Sequence, residues 1–229
     1  AKDIESMRDA ANRAKNSPEV ELNFRWLDLN QWVTTKLTSW IDLGIYDQTE
    51  ETIPEEKLLG LKCYLGQDAS TTTDLSSIVR LFPPQAWLDH WHFKVDAFLP
   101  RNTLLERVRT DHVPYDKWES GGYLHVTEGD TIDHWAILDQ VLKYKEMHEV
   151  VELVSDPAFA VMLTQAEMKE GVNVVTQQGT FAILTDPMNT VETLMRSGKL
   201  THEHNPLLRW TFGNASIAAT GSSEERRGG

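Results

Sequence analysis

The chain has one cysteine, Cys63, in 229 residues. That excludes an internal disulfide and any zinc site built from cysteines, and it suits a cytosolic setting. No apolar run approaches the roughly twenty residues of a membrane span, and the opening residues lack the order of a signal peptide. Positive charge is scarce: 22 Lys and Arg stand against 35 Asp and Glu, a net charge of −13. Such a surface does not grip nucleic acid unaided. There is no Gly-rich phosphate loop ending in Gly-Lys-Ser or Gly-Lys-Thr and no Gly-x-Ser-x-Gly elbow. Internal repeats and low-complexity blocks are also missing. What the chain does have is a hydrophobic fraction of 40% and eight tryptophans, enough for one large domain or a domain with an arm.

Leu61 to Phe82 organises the rest. A short apolar run ends on Asp68, a polar turn follows from Ser70 to Asp74, and Ile78-Val79-Arg80-Leu81-Phe82 is again rich in strand formers. The pattern predicts a hairpin with Asp68 at the end of its first strand. An aspartate there either caps the turn or presents a hard oxygen ligand to a cation such as magnesium. Cys63 lies inside that strand and reads as an inert buried thiol.

Residues 1 to 16 are polar and helical in propensity, and Ser17-Pro18 breaks them. Phe24, Trp26, Trp32 and Trp40 mark an aromatic arm, and residues 47 to 57 read as an acidic, exposed connector. Alternation from Trp91 to Leu99 predicts a third, antiparallel strand. A short helix over Thr103 to Arg109 and a small strand at Tyr123 to Val126 follow. Thr131 or Asp133 opens an amphipathic helix. Val150 to Ser155 reads as a buried strand ending at Asp156-Pro157, with Pro157 suited to the first turn of the next helix. Further on come a strand at Val172 to Val175, helices starting at Asp186-Pro187 and Asn205-Pro206, a last strand over 214 to 220, and a disordered polar tail over 221–229. The domain division is an arm at 1–58, a folded domain at 59–220 and that tail.

Three antiparallel strands followed by strand–helix alternation predict an α/β fold, a mixed sheet flanked by helices. The order is that of the ribonuclease H-like fold, in which the first and fourth strands lie side by side and parallel. Asp68 and Asp156 would then meet at one sheet edge. Two carboxylates that close repel each other unless a cation sits between them. A pair of divalent ions about 4 Å apart activates a water and stabilises the leaving oxygen of a phosphodiester. Asp156 has a second reading as a helix cap.

These residues resemble the nuclease domain of the large terminase subunit of tailed bacteriophages. Gly66-Gln67-Asp68-Ala69-Ser70-Thr71-Thr72-Thr73-Asp74-Leu75 resembles the family's first acidic motif, and Ser155-Asp156-Pro157 its second. Val113-Pro114-Tyr115-Asp116-Lys117-Trp118 resembles its middle, Thr131-Ile132-Asp133 precedes the helix as in the family, and Asn205-Pro206-Leu207-Leu208-Arg209-Trp210 resembles its close. The arm, with Leu29-Asn30-Gln31-Trp32 and Trp40, looks like the segment joining motor to nuclease. The resemblance implies a Mg2+- or Mn2+-dependent endonuclease that cuts concatenated double-stranded viral DNA during packaging in the host cytoplasm. It implies Asp68 and Asp156 as metal ligands. It also implies an ATPase domain before residue 1, a small terminase subunit and a portal as partners, so that the chain reads as a fragment of a longer protein.

There are two departures. Ala69 stands where the family usually has Leu. The family's third carboxylate lies on a helix after the last strand, where this chain has Gly221 to Gly229 with only Glu224 and Glu225. A second class of function therefore stays open, a nuclease-like fold kept as a docking module for motor or portal. Asp74 and Asp133 are further acidic candidates near the same edge. Arg101, Arg107, Arg109 and Lys117 form one cluster that could touch phosphates, and Arg196, Lys199 and Arg209 a second. His90 and His92 share a strand face and read as solvated rather than as a metal pair.

Overall fold

The structure, a computed structural model, describes residues 40–70, 74–110, 113–157 and 160–215. The compact unit runs from Ile41 to Asn214. The aromatic arm before Trp40, the centre of the first turn, residues 216–220 of the last strand expected over 214–220 and the tail at 221–229 lie outside the described residues, while Asn214 ends a helix rather than opening that strand.

β1 (Lys62–Asp68) and β2 (Ser76–Phe82) form the expected hairpin, with Tyr64 opposite Leu81 and Asp68 opposite Ser77. Period-two alternation sets the faces: Cys63, Leu65 and Gln67 of β1, and Ile78, Arg80 and Phe82 of β2, all turn inward. β3 (Trp91–Pro100) continues the antiparallel run. β4 (Leu124–Thr127) and the short β7 (Leu200–His202) both pair parallel with β3, at different points along it. β5 (Glu149–Ser155) lies parallel to β1, and β6 (Val174–Thr176) parallel to β5. The order β4-β3-β2-β1-β5-β6 gives a seven-stranded mixed sheet with β7 off the end of β3. With helices on both faces this is the ribonuclease H-like arrangement, and the parallel neighbours of the sequence reading are β1 and β5.

On one face Leu65, Ile78, Phe82 and Leu153 pack with Ile137, Leu138, Val141 and Tyr144 of α5 (His134–Met147) and Leu163 of α6 (Val161–Lys169). Each such fully buried side chain contributes about 1.5–3 kcal/mol. The other face carries Ala97, Leu99 and Leu124. There Leu104 of α3 (Arg101–Thr110), Tyr115 and Trp118 of α4 (Tyr115–Ser120) and Leu207 of α8 (Pro206–Asn214) cover the sheet.

Most of residues 47 to 57 are exposed as expected, but the segment is not a free connector. It holds the end of α1 (Leu43–Gln48) and part of α2 (Glu55–Leu58), and Thr49 and Ile53 are buried. The reason is electrostatic as well as apolar. Glu55 pairs with buried Arg80, and Lys94 Nζ lies 2.7 Å from Glu55 and 3.1 Å from Glu203. His148, Lys94 and Arg80 together hold the Glu55 carboxyl far below the usual glutamate range. A buried guanidinium needs such a partner, so the acidic residue that looks solvent-facing in the sequence is drawn onto the sheet.

The helix expected at Asp186-Pro187 starts earlier. α7 spans Phe181–Arg196 with Pro187 inside it. Phe181-Ala182-Ile183-Leu184 is itself helix-compatible, and Thr180 in extended conformation supplies the N-cap position. Proline removes one interior N–H without ending the helix. The Cys63 thiol is buried as expected and is pushed up to about 12 by that burial, which makes it unreactive.

Candidate active site

Asp68 is the last residue of β1, and Asp156 follows the last residue of β5. Alternation turns Gln67 inward and leaves Asp68 exposed. Gln67 stands opposite Ser155 in the parallel register. Asp68 and Asp156 therefore leave the sheet together, at a spacing of about 4.8 Å between neighbouring strands. Partial burial, then the charges of Asp156 and Asp74, hold the Asp68 carboxyl above the usual aspartate range. Like charges that raise a pKa in this way are relieved by a cation.

The surroundings hold both ends in place. Asp156 Oδ2 accepts the Gly179 N–H at 2.9 Å. A Cβ at 179 would stand 3.2 Å from that oxygen, so glycine permits the approach of this loop, which lies between β6 and α7. On the Asp68 side, the Ser70 N–H donates to Ser76 Oγ at 2.8 Å and His134 Nε2 donates to the Ser70 carbonyl at 3.2 Å. The first residue of α5 thus docks on the turn that follows Asp68. Asp133 caps α5, accepting the Trp135 N–H at 2.9 Å. Asp74 reaches Arg107 Nη2 at 3.4 Å and its charge acts on Asp68. Of the two further acidic candidates, Asp74 acts electrostatically on Asp68, and Asp133 is engaged as a helix cap.

Oxygen donors of this type suit magnesium or manganese, which take one or two protein carboxylates. Among the described residues, no group of three or more His, Cys, Asp and Glu is arranged to hold a metal. Glu224 and Glu225 lie outside the described residues.

Most of the cationic candidates have anionic partners. Arg101 pairs with Glu119 at 2.7 Å, Arg196 with Glu192 at 2.8 Å, and Arg209 with Asp47 at 2.7 Å. Arg107 pairs with Asp74 as described. Arg109, Lys117 and Lys199 make no ion pair with another described residue. His90 is paired with Asp89 and Glu51, and His92 is buried against Thr201, so His92 is not on a solvated face.

Sequence reasoning missed Gly179, His134 and Glu167. Glu167 is fully buried on α6, in phase with Leu163 and Thr164. A charged residue four positions after a core leucine was the signal that could have found it.

The family model described as terminase large subunit, endonuclease domain, matches residues 1–225. The terminase large subunit of Enterobacteria phage HK97 is 26% identical over 222 residues, covering 92% of this chain and 41% of that protein. Protein YmfN of Escherichia coli (strain K12) is 26% identical over 209 residues, covering 88% of this chain and 46% of that protein. The chain thus spans less than half the length of these curated relatives. The crystal structure of the HK97 bacteriophage large terminase shares the fold, with a TM-score of 0.68 at 24% identity over 93% of this chain and 44% of that one. The match along nearly the whole chain places this protein in the family of terminase large subunit endonuclease domains.

Proposed function

We propose that this domain is a divalent-metal-dependent DNA endonuclease that cuts concatemeric double-stranded DNA during phage packaging. The observation that carries the reading is the pair Asp68 and Asp156, brought together at the ends of adjacent parallel strands and electrostatically coupled. Asp68 and Asp156 would hold Mg2+ or Mn2+. When bound, a pair of such ions supplies an activated water and stabilises the leaving oxygen of a phosphodiester. The sheet holds both carboxylates on strand ends, the Gly179 N–H orients Asp156, and Asp74 adds negative charge that favours a cation at Asp68.

The nuclease is assigned to 59–220, and residues 41–58 belong to the same compact unit; the arm before them would join it to an ATPase domain, and 221–229 would form a tail. DNA, that ATPase domain, a small terminase subunit and a portal are the proposed partners, and the host cytoplasm the proposed setting. A docking module is the second reading, favoured by the net charge of −13 and by the lack of a third metal-binding group among the described residues.

Nicking of supercoiled plasmid separates the two. With Mn2+ the wild-type chain is expected to nick slowly and nonspecifically, and Asp68→Asn and Asp156→Asn should both fall to background. If Asp68→Asn nicks as fast as wild type, the site assignment is wrong and the docking reading gains.

A further inference from the structure

Behind the two aspartates, on the opposite face of the sheet ends, lies a chain of buried polar groups that the endonuclease reading does not use. Glu167 on α6 is fully buried, and neither carboxyl oxygen has a hydrogen-bond partner among the described residues. Gln67, 5% exposed, has an unpartnered Oε1, while its Nε2 donates to Ser155 Oγ at 3.4 Å. Ser155, also fully buried, donates its Oγ–H to the Asp156 carbonyl at 3.3 Å. Gln67 and Ser155 are register partners, and each immediately precedes one of the two aspartates.

An ionised carboxylate without a partner is expensive to bury. A neutral acid is less so, and it gains a hydroxyl donor. Gln67 Oε1 is an acceptor without a donor. An acid and a primary amide have matching donors and acceptors, so a protonated Glu167 carries the donor that Gln67 Oε1 lacks. Burial pushes the Glu167 carboxyl up to about 7, with the nearby Gln67 amide acting in the opposite direction. Stability alone would favour an apolar residue of similar volume at 167, which points to a role beyond packing.

We propose that Glu167 is a positioning residue: as a neutral acid it donates to Gln67 Oε1, and the Glu167–Gln67–Ser155 chain fixes the ends of β1 and β5 so that Asp68 and Asp156 approach at the spacing a divalent ion needs. This rests on the metal-site reading for its last clause, while the hydrogen-bond chain stands independently. Outer-layer partners of metal ligands typically change affinity by about 10–100-fold.

The test uses the full chain with Glu167→Met and Glu167→Gln. Gln keeps a donor for Gln67 Oε1, and Met fills the space without one. Two quantities are read: Mn2+ affinity by calorimetry, and amide hydrogen exchange at residues 66–68 and 154–156. Glu167→Met is expected to bind Mn2+ at least about tenfold more weakly and to exchange faster at both strand ends, with Glu167→Gln close to wild type in both. If Glu167→Met matches wild type in exchange, the positioning role is overturned. If wild type itself binds no Mn2+, the metal-site reading fails, and exchange still decides the chain. Should Glu167→Met not fold, Gln67→Met cuts the same chain from the other side and is judged by the same two readouts.

Discussion

Glu167 is held up to about 7 by burial, against an ordinary glutamate value of about 4.3. The folded value lies above the unfolded one. As pH rises through that interval, the unfolded chain gives up a proton that the folded chain still keeps, so stability falls, and the loss is complete above the folded value. Glu167→Gln has no such proton. Thermal scans between about pH 5 and pH 8 should therefore show a larger fall in Tm for wild type than for the variant, with the variant the more stable at the upper end. Equal falls would mean that Glu167 is ionised, or solvated, in the folded chain. Single residues also mark what a sequence can reveal. Asp68 and Asp156 were legible because each ends an apolar strand, and Asp133 because it stands before an amphipathic run. Glu167 was not, because the helix over Val161–Lys169 was read from its apolar residues alone and the phase of Glu167 with Leu163 was not weighed.

At the scale of elements, the parallel β1–β5 pairing positions the candidate site. Leu65 and Leu153 are register partners, both essentially fully buried, within three residues of Asp68 and Asp156. Leu153→Ala leaves a cavity under both strands and is expected to cost about 2–5 kcal/mol in urea unfolding. A cost below about 1 kcal/mol would mean that the site is relaxed enough to collapse around the gap. The third strand and α5 were legible from alternation and helical period, and the hairpin and β5 from apolar runs of strand formers that end at a polar turn and at Asp156-Pro157. The elements missed were short or hidden by local signals. α4 lies within a Pro- and Gly-punctuated stretch that resembles a loop, and β7 has only three residues. α7 was started late because Asp-Pro is a common helix opening and here sits mid-helix. Within the acidic segment at 47–57, Glu55 was misjudged because Arg80 reads from the sequence as one polar position in a strand, and its burial is what draws Glu55 inward.

For the whole molecule, charge decides what the isolated chain can do with DNA. The net charge is −13, and Arg101, Arg107, Arg196 and Arg209 already face carboxylates. Counterion release then has few cations to work with. Gel-shift titrations at two salt concentrations should show weak, nonspecific binding that weakens further with salt. Tight binding with little salt dependence would contradict that balance. The ribonuclease H-like order was legible from the succession of elements, whereas the pairing state of the cations was not, since it depends on residues as far apart in sequence as Asp47 and Arg209.

The central claim is that Asp68 and Asp156 together hold a divalent cation. Anomalous diffraction from crystals of this chain soaked in manganese tests it most directly, because it locates the ion without relying on turnover. A peak between the two carboxylates, lost in Asp68→Asn, is the expected result. A manganese peak elsewhere, or none between them at saturating metal, would contradict the account.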